Sequence, residues 1–195
     1  MKFVLASASP RRRELLSALG LEFEVRPALG EEHPESGLSG GETAKRLSCA
    51  KCLEVAAGAG EDDVVIAADT VVCLDDKILG KPADAADAKR MLRALSGRDH
   101  RVFTGVTVCR GDRVLSDFEE TAVHFRPLTE REIAAYLATG EPMDKAGAYG
   151  IQGRGSMLVE AIQGDYFTVV GLPVCRLACA LRHFDIDPLK QTVKE

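Results

Sequence analysis

No stretch of this sequence approaches the ~18 consecutive apolar residues that a membrane helix needs, so no span is expected. The amino terminus, Met1-Lys2-Phe3-Val4-Leu5-Ala6-Ser7-Ala8-Ser9, only faintly imitates a signal peptide. Its apolar part is too short and Pro10-Arg11-Arg12-Arg13 follows at once, so it reads as a buried first strand of a cytosolic protein. Excess basic charge is also missing. Lys and Arg total 25 against 30 Asp and Glu, a net charge of −5, which excludes bulk attraction to nucleic acid. Any polyanionic ligand must be gripped by a local cluster.

Metal-site spacing is absent as well. Cys49-Ala50-Lys51-Cys52 has no second pair at zinc-site distance, and the histidines form no HxxxH. The six cysteines read as reduced thiols, and Cys175 and Cys179, one helical turn apart in an apolar stretch, as core packing. There is no GxxxxGK[ST] loop, no GxGxxG after a strand and no GxSxG elbow. P-loop nucleotidases, dinucleotide-binding folds and elbow hydrolases are thereby excluded. With no repeat and no low-complexity linker, residues 1–195 are expected to form one domain. The last ten or so residues, at roughly the length over which chain ends commonly fray, read as a loose tail.

What is present alternates between strand and helix signals. Residues 3–6 read as a short strand, followed by Ser9 as N-cap and Pro10 as the first residue of a helix stopped by Gly20. Residues 23–25 form a second strand, 28–41 a long loop and 42–57 a helix. The continuous apolar run 64–68 reads as a strand covered on both faces, ending at Asp69-Thr70. A hairpin turning at Asp75-Asp76 and a helix over 84–95 follow. Two longer strands, 101–109 and 114–125, flank Gly111-Asp112. Thr129-Glu130-Arg131-Glu132 is a capping box opening a helix to about residue 138. The glycine-rich segment 140–155 suits no regular element. Strands near 157–162 and 167–170 then precede a final helix from Pro173. Hairpins together with helical crossovers imply an α/β domain with a mixed central sheet.

Two places break local rules. Arg11, Arg12 and Arg13 occupy the first turn of a helix, where the macrodipole disfavours cations. Free amides, arginines and the hydroxyls of Ser7 and Ser9 together suit a phosphate group. Asp69 is the second conflict, a carboxylate closing an apolar strand. Alone it could hold a divalent cation, act as a general base, or cap a turn, and for a single Asp the turn is the default. Glu31-Glu32 in the long loop are further hard oxygen donors suited to magnesium, though alone they read as solvated. Lys51 interrupts an apolar helical stretch, and Lys81 is kept extended by Pro82. Each of these lysines could simply be exposed.

The order of these pieces resembles the Maf (multicopy-associated filamentation) family of nucleoside triphosphate pyrophosphatases. The resemblance is carried by Ser7-Ala8-Ser9-Pro10-Arg11-Arg12, Ala68-Asp69-Thr70-Val71, Gly80-Lys81-Pro82 and Leu95-Ser96-Gly97. It continues in Gly140-Glu141-Pro142, in Asp144-Lys145-Ala146-Gly147-Ala148-Tyr149-Gly150-Ile151-Gln152-Gly153 and in Val170-Gly171-Leu172-Pro173. It implies a two-lobed α/β fold with a cleft, related to that of inosine triphosphatases, often as a homodimer. It also implies hydrolysis of a nucleoside triphosphate to monophosphate and pyrophosphate with Mg²⁺ or Mn²⁺. The family's general base falls on Asp69, and its phosphate and metal machinery on Ser7, Ser9, Arg11, Arg12, Glu32, Lys51 and Lys81; Arg13 is not carried over. Arg11, Thr70 and Ile151-Gln152-Gly153 match members that act on dTTP and UTP. Members similar to 7-methyl-GTP enzymes instead carry a bulky aromatic, Gln and Ser-Glu at those positions. The amide of Gln152 can both accept and donate, and so could pair with the O4/N3 edge of a pyrimidine. The cell-division association that named the family leaves a non-catalytic regulator as the other class of function.

Overall fold

The computed structural model describes residues 1–30 and 37–190. Glu31 and Glu32 therefore lie outside the described residues, as do 191–195 of the expected tail. Within that tail Pro188–Lys190 form a 3₁₀ turn, while Ile186 just before it is buried.

One seven-stranded mixed sheet organises the molecule. Its central strand is β3 (Val64–Leu74). Parallel to it run β1 (Phe3–Leu5) and then β2 (Phe23–Val25). On its other side the antiparallel series β5 (Asp99–Arg110), β6 (Arg113–Phe125) and β7 (Val159–Gln163) continues the sheet. The short β4 (Lys77–Leu79) folds back on the far half of β3. Asp75 and Asp76 both adopt positive φ, 48° and 62°, as a two-residue hairpin turn requires.

The expected strand end at Asp69 is wrong. β3 runs on for five more residues, to Leu74, and β5 pairs with it continuously from Val65↔Cys109 to Cys73↔Arg101. Side chains alternate faces along a strand, and that period explains the polar pair. Val64, Ile66 and Ala68 enter one core with α1 (Pro10–Ala18) and α6 (Val174–Arg182). Val72 and Leu74, on the same face, enter a second core with α3 (Ala85–Leu95) and α4 (Glu130–Leu137). Thr70 lies between the two. On the opposite face Val65 and Ala67 meet Cys52 and Val55 of α2 (Gly40–Ala56), while Val71 and Cys73 meet Ala44 near its start. Asp69 falls between these in turn. Asp69-Thr70 is thus the polar seam between two lobes on both faces of one strand.

Helix α2 lies so close to the sheet that the strand beneath it can carry no side chain at the crossing. Gly105 pairs with Asp69 in register, and a Cβ on it would stand 2.2 Å from the carbonyl oxygen of Ala44. Gly105→Ala should therefore push α2 off the sheet and cost about 1–3 kcal/mol, the range for overpacking a close-packed interior. A lower urea midpoint is the expected reading. An unchanged midpoint would contradict that contact.

Other expectations fail for identifiable reasons. Residues 167–170 form a helix, α5 (Tyr166–Val170), not a strand. A short apolar run cannot distinguish the two by periodicity, and here the Asp165 carboxylate caps the amides of Phe167 and Thr168. The strand expected near 157 starts at Val159, because 3₁₀ turns occupy Gly153–Leu158. Cys175 and Cys179 are exposed, since α6 buries Leu177, Ala180 and Leu181 instead. Cys52 does pack in the core, its thiol 3.0 Å from that of Cys109, a pairing that pushes the Cys52 thiol up from its ordinary value.

Candidate active site

The seam opens into a cavity of about 1050 Å³, roomy enough for a nucleotide. Its walls include Ser7, Ser9, Arg11, Arg12, Lys51, Asp69, Thr70, Lys81 and Gln152. Residues drawn from five separate stretches of sequence thus face one space. Only Glu32, outside the described residues, cannot be placed. Arg13 is exposed and is not part of that wall.

Each position follows from the local fold. Strand β1 stops at Leu5 while its parallel neighbour β3 continues past Asp69, so Ser7 emerges beside the middle of β3. The turn then enters α1 through Ser9 and Pro10. Ser9 has the extended backbone of an N-cap residue, but its hydroxyl caps nothing. Its amide instead donates to the Ser7 hydroxyl at 3.2 Å. The expected cap is therefore a cap in position only, and the Ser9 hydroxyl is not spent on the first helical amides at a residue that lines the cleft.

Arg12 is tied down by the protein. Its Nε donates to the Gly171 carbonyl at 2.8 Å, and its terminal nitrogens donate to Ser7 Oγ and Thr70 Oγ1, each at 3.2 Å. Thr70 continues the chain to Thr104 at 3.0 Å, and Thr104 donates to the Thr168 carbonyl at 2.7 Å. The α1 start, the seam of β3 and the end of α5 are thereby held in one hydrogen-bonded network. Buried polar networks of this kind fix a single arrangement when every member is satisfied. Arg11 reaches instead across the cleft, 3.8 Å from Asp144.

Asp69 is 6% exposed, and the Lys51 ammonium from α2 donates to its Oδ1. A buried carboxylate is tolerated only when paired or hydrogen-bonded, and Lys51 meets that need. This also disposes of the turn-capping reading: Asp69 lies in mid-strand, far from any turn. Lys81 follows β4 and is exposed at the rim, and Gln152 is exposed in the glycine-rich segment.

Sequence reasoning assigned no role to Glu141, Asp144 or Lys145, all of which line the same cavity. Lys145 donates to the Glu141 carbonyl and to Asp144, both at 2.6 Å. The available signal was a run of charges inside a segment too rich in glycine to be a solvated helix face.

Among the described residues no group of three or more His, Cys, Asp or Glu is arranged to hold a metal ion. Asp69 is a buried hard oxygen donor on the β3 side of the cleft, close to cationic side chains. That suits Mg²⁺, which commonly takes one or two carboxylates and completes its shell with phosphate oxygens and water. No helix among the described residues is long and apolar enough to cross a membrane.

A one-sheet α/β fold with a polyanion cleft at its seam is the class defined by these features, and the chain belongs to the Maf family. The family model, described as Maf-like protein, matches residues 2–184. A relative from Alkaliphilus oremlandii named dTTP/UTP pyrophosphatase is 52% identical over 191 residues, covering 96% of this chain and 99% of its own. One of the same name from Bacillus cereus is 47% identical over 186 residues, covering 95% and 97%. A solved nucleoside-triphosphatase / dITP/XTP pyrophosphatase from Mycobacterium abscessus covers 95% of each chain at 14% identity, with a TM-score of 0.45.

Proposed function

We infer that this chain is a nucleoside triphosphate pyrophosphatase that hydrolyses UTP and dTTP to the monophosphate and pyrophosphate. The observation that carries the reading is one buried carboxylate, Asp69, paired with Lys51 at the floor of a cleft whose rim is cationic. The names of the full-length relatives supply the substrate class.

In this reading the triphosphate lies against the start of α1. The hydroxyls of Ser7 and Ser9 donate to phosphate oxygens, and Arg11 and Lys81 neutralise their charge. Arg12 acts through what it holds: it orients Ser7 and Thr70 and keeps a positive charge beside them. Lys51 holds the Asp69 carboxylate in place until the phosphates compete for its ammonium. Asp69 then takes a proton from the attacking water as the water oxygen bonds to phosphorus and the bridge between the α- and β-phosphoryl groups breaks. Charge growing on the departing oxygens is met by groups already in position, the usual source of rate in phosphoryl chemistry. A divalent cation, Mg²⁺ or Mn²⁺, would be held by Asp69 and by Glu32, as the resemblance implies, and would supply further neutralisation of phosphate charge. The enzyme acts on free nucleotides in the cytosol.

A side-by-side screen of natural and modified triphosphates for pyrophosphate release tests this. Highest kcat/KM for UTP and dTTP is expected. A preference for 7-methyl-GTP would move the chain to another specificity, and tight binding without turnover of any triphosphate would make it a regulator instead.

A further inference from the structure

The segment that carries Gln152 has almost no regular structure, yet it is held at both ends by two side chains that the chemistry above does not use. Tyr136, buried on the inner face of α4, donates from its hydroxyl to Glu141 Oε1 at 2.9 Å. The same carboxylate accepts the amides of Gly155 on Oε1 and Arg154 on Oε2, each at 3.1 Å. The Tyr136 hydroxyl in turn accepts the amide of Gly150 at 3.3 Å. One phenol and one carboxylate thus hold backbone amides on either side of Gln152.

The fit is tight enough to dictate the sequence of the segment. A Cβ at Gly155 would stand 2.1 Å from the Gly150 carbonyl oxygen and 2.7 Å from the Tyr136 hydroxyl. At Gly153, where φ is +64°, it would stand 3.0 Å from Glu141 Oε2. The glycines are therefore spaces moulded around the anchor, not hinges. Burial pushes the Glu141 carboxyl up, but its amide and phenol hydrogen bonds outweigh burial and hold it below the ordinary value. Burial likewise pushes the Tyr136 phenol up, so it remains a donor. Both are in the protonation states that the anchor needs.

Gln152 itself is exposed, and its side chain has no hydrogen-bond partner among the described residues. With no hydrogen bond of its own, that side chain depends on the backbone path of residues 150–155 for its place on the cleft wall. The geometry points to Tyr136 and Glu141 as positioning residues for base recognition, which set nucleotide selectivity by fixing the direction of Gln152. This rests on the reading of Gln152 as the group that meets the base. A weakened anchor would leave the Asp69–Lys51 pair untouched, so selectivity and affinity should suffer while the chemical step does not.

Tyr136→Phe is the variant of choice, because it keeps the ring in the core and removes one oxygen. It should be assayed with UTP and GTP in parallel, with hydrogen exchange followed at the amides of Gly150, Arg154 and Gly155. The kcat for UTP should stay within about twofold while KM rises roughly three- to tenfold, the scale of one lost hydrogen bond. The ratio of kcat/KM for UTP over GTP should fall by a similar factor, and those amides should exchange faster. Glu141→Gln should do the same more strongly, and if it fails to fold, Tyr136→Phe alone decides. An unchanged ratio, whether from equal losses for UTP and GTP or from no loss for either, would overturn the inference, since a merely structural role predicts it. Should the wild-type protein prefer a purine triphosphate, the pyrimidine reading fails separately. The positioning role then stands only if Tyr136→Phe still narrows the gap between the best and the poorest nucleotide.

Discussion

Asp69→Asn is expected to lower turnover of UTP by ~10²-fold or more, the usual cost of losing a general base. Asparagine keeps the shape and one acceptor oxygen, so β3 should hold its place between β1 and β5. It cannot take a proton, and it exchanges a charge-assisted bond from Lys51 for a neutral one. The side chains of that pair are only 19% and 9% exposed, so weakening it should lower stability along with activity. Nucleotide binding should change by only a few-fold, because Ser7, Ser9, Arg11 and Lys81 are untouched. Single-turnover kinetics with a separate binding measurement would resolve the two effects. Wild-type turnover in the purified variant would end the assignment of Asp69.

Gln152→Glu should produce the second-largest change, and a selective one. Glutamate retains two acceptors but loses the NH₂ donor that would meet O4 of uracil or thymine, so two oxygens would face each other. A site built to hydrogen-bond its substrate discriminates strongly when one partner is removed, because the other is left unpaired. The expected loss in kcat/KM for UTP and dTTP is about 1–3 kcal/mol, or roughly ten- to two-hundred-fold. Purine triphosphates should change much less. If Gln152 only braced its glycine-rich segment, all nucleotides would decline together, and that pattern would remove its base-reading role.

These two residues also mark how far the sequence could be read. Asp69 announced itself because a charge follows five apolar residues, and the arginines after Pro10 because cations oppose a helix start. Such violations are visible without coordinates. What they could not reveal was that β3 passes straight through Asp69. Only the alternation of two cores on each face, with the polar pair at the seam, makes mid-strand polarity intelligible. The hairpin at Asp75-Asp76 and the Thr129–Glu132 capping box were legible because turn and cap chemistry is local. The helix at Tyr166–Val170 was not, because its five residues are too few to show a period. Arg12 shows the same limit: its residue type suggests a phosphate ligand, while its bonds to Gly171, Ser7 and Thr70 come from elements far apart in sequence. The anchoring role of Tyr136 and Glu141 was beyond reach for that reason too, since besides each other they bond backbone amides that no side-chain pattern records.

The most direct test is the identity of the products. UTP incubated with the purified protein and Mg²⁺ should yield UMP and pyrophosphate in equal amounts, resolved by phosphorus NMR or ion-exchange chromatography. Cleavage between the α- and β-phosphoryl groups is the result that the proposed pyrophosphatase activity predicts. UDP and orthophosphate as the products would contradict it.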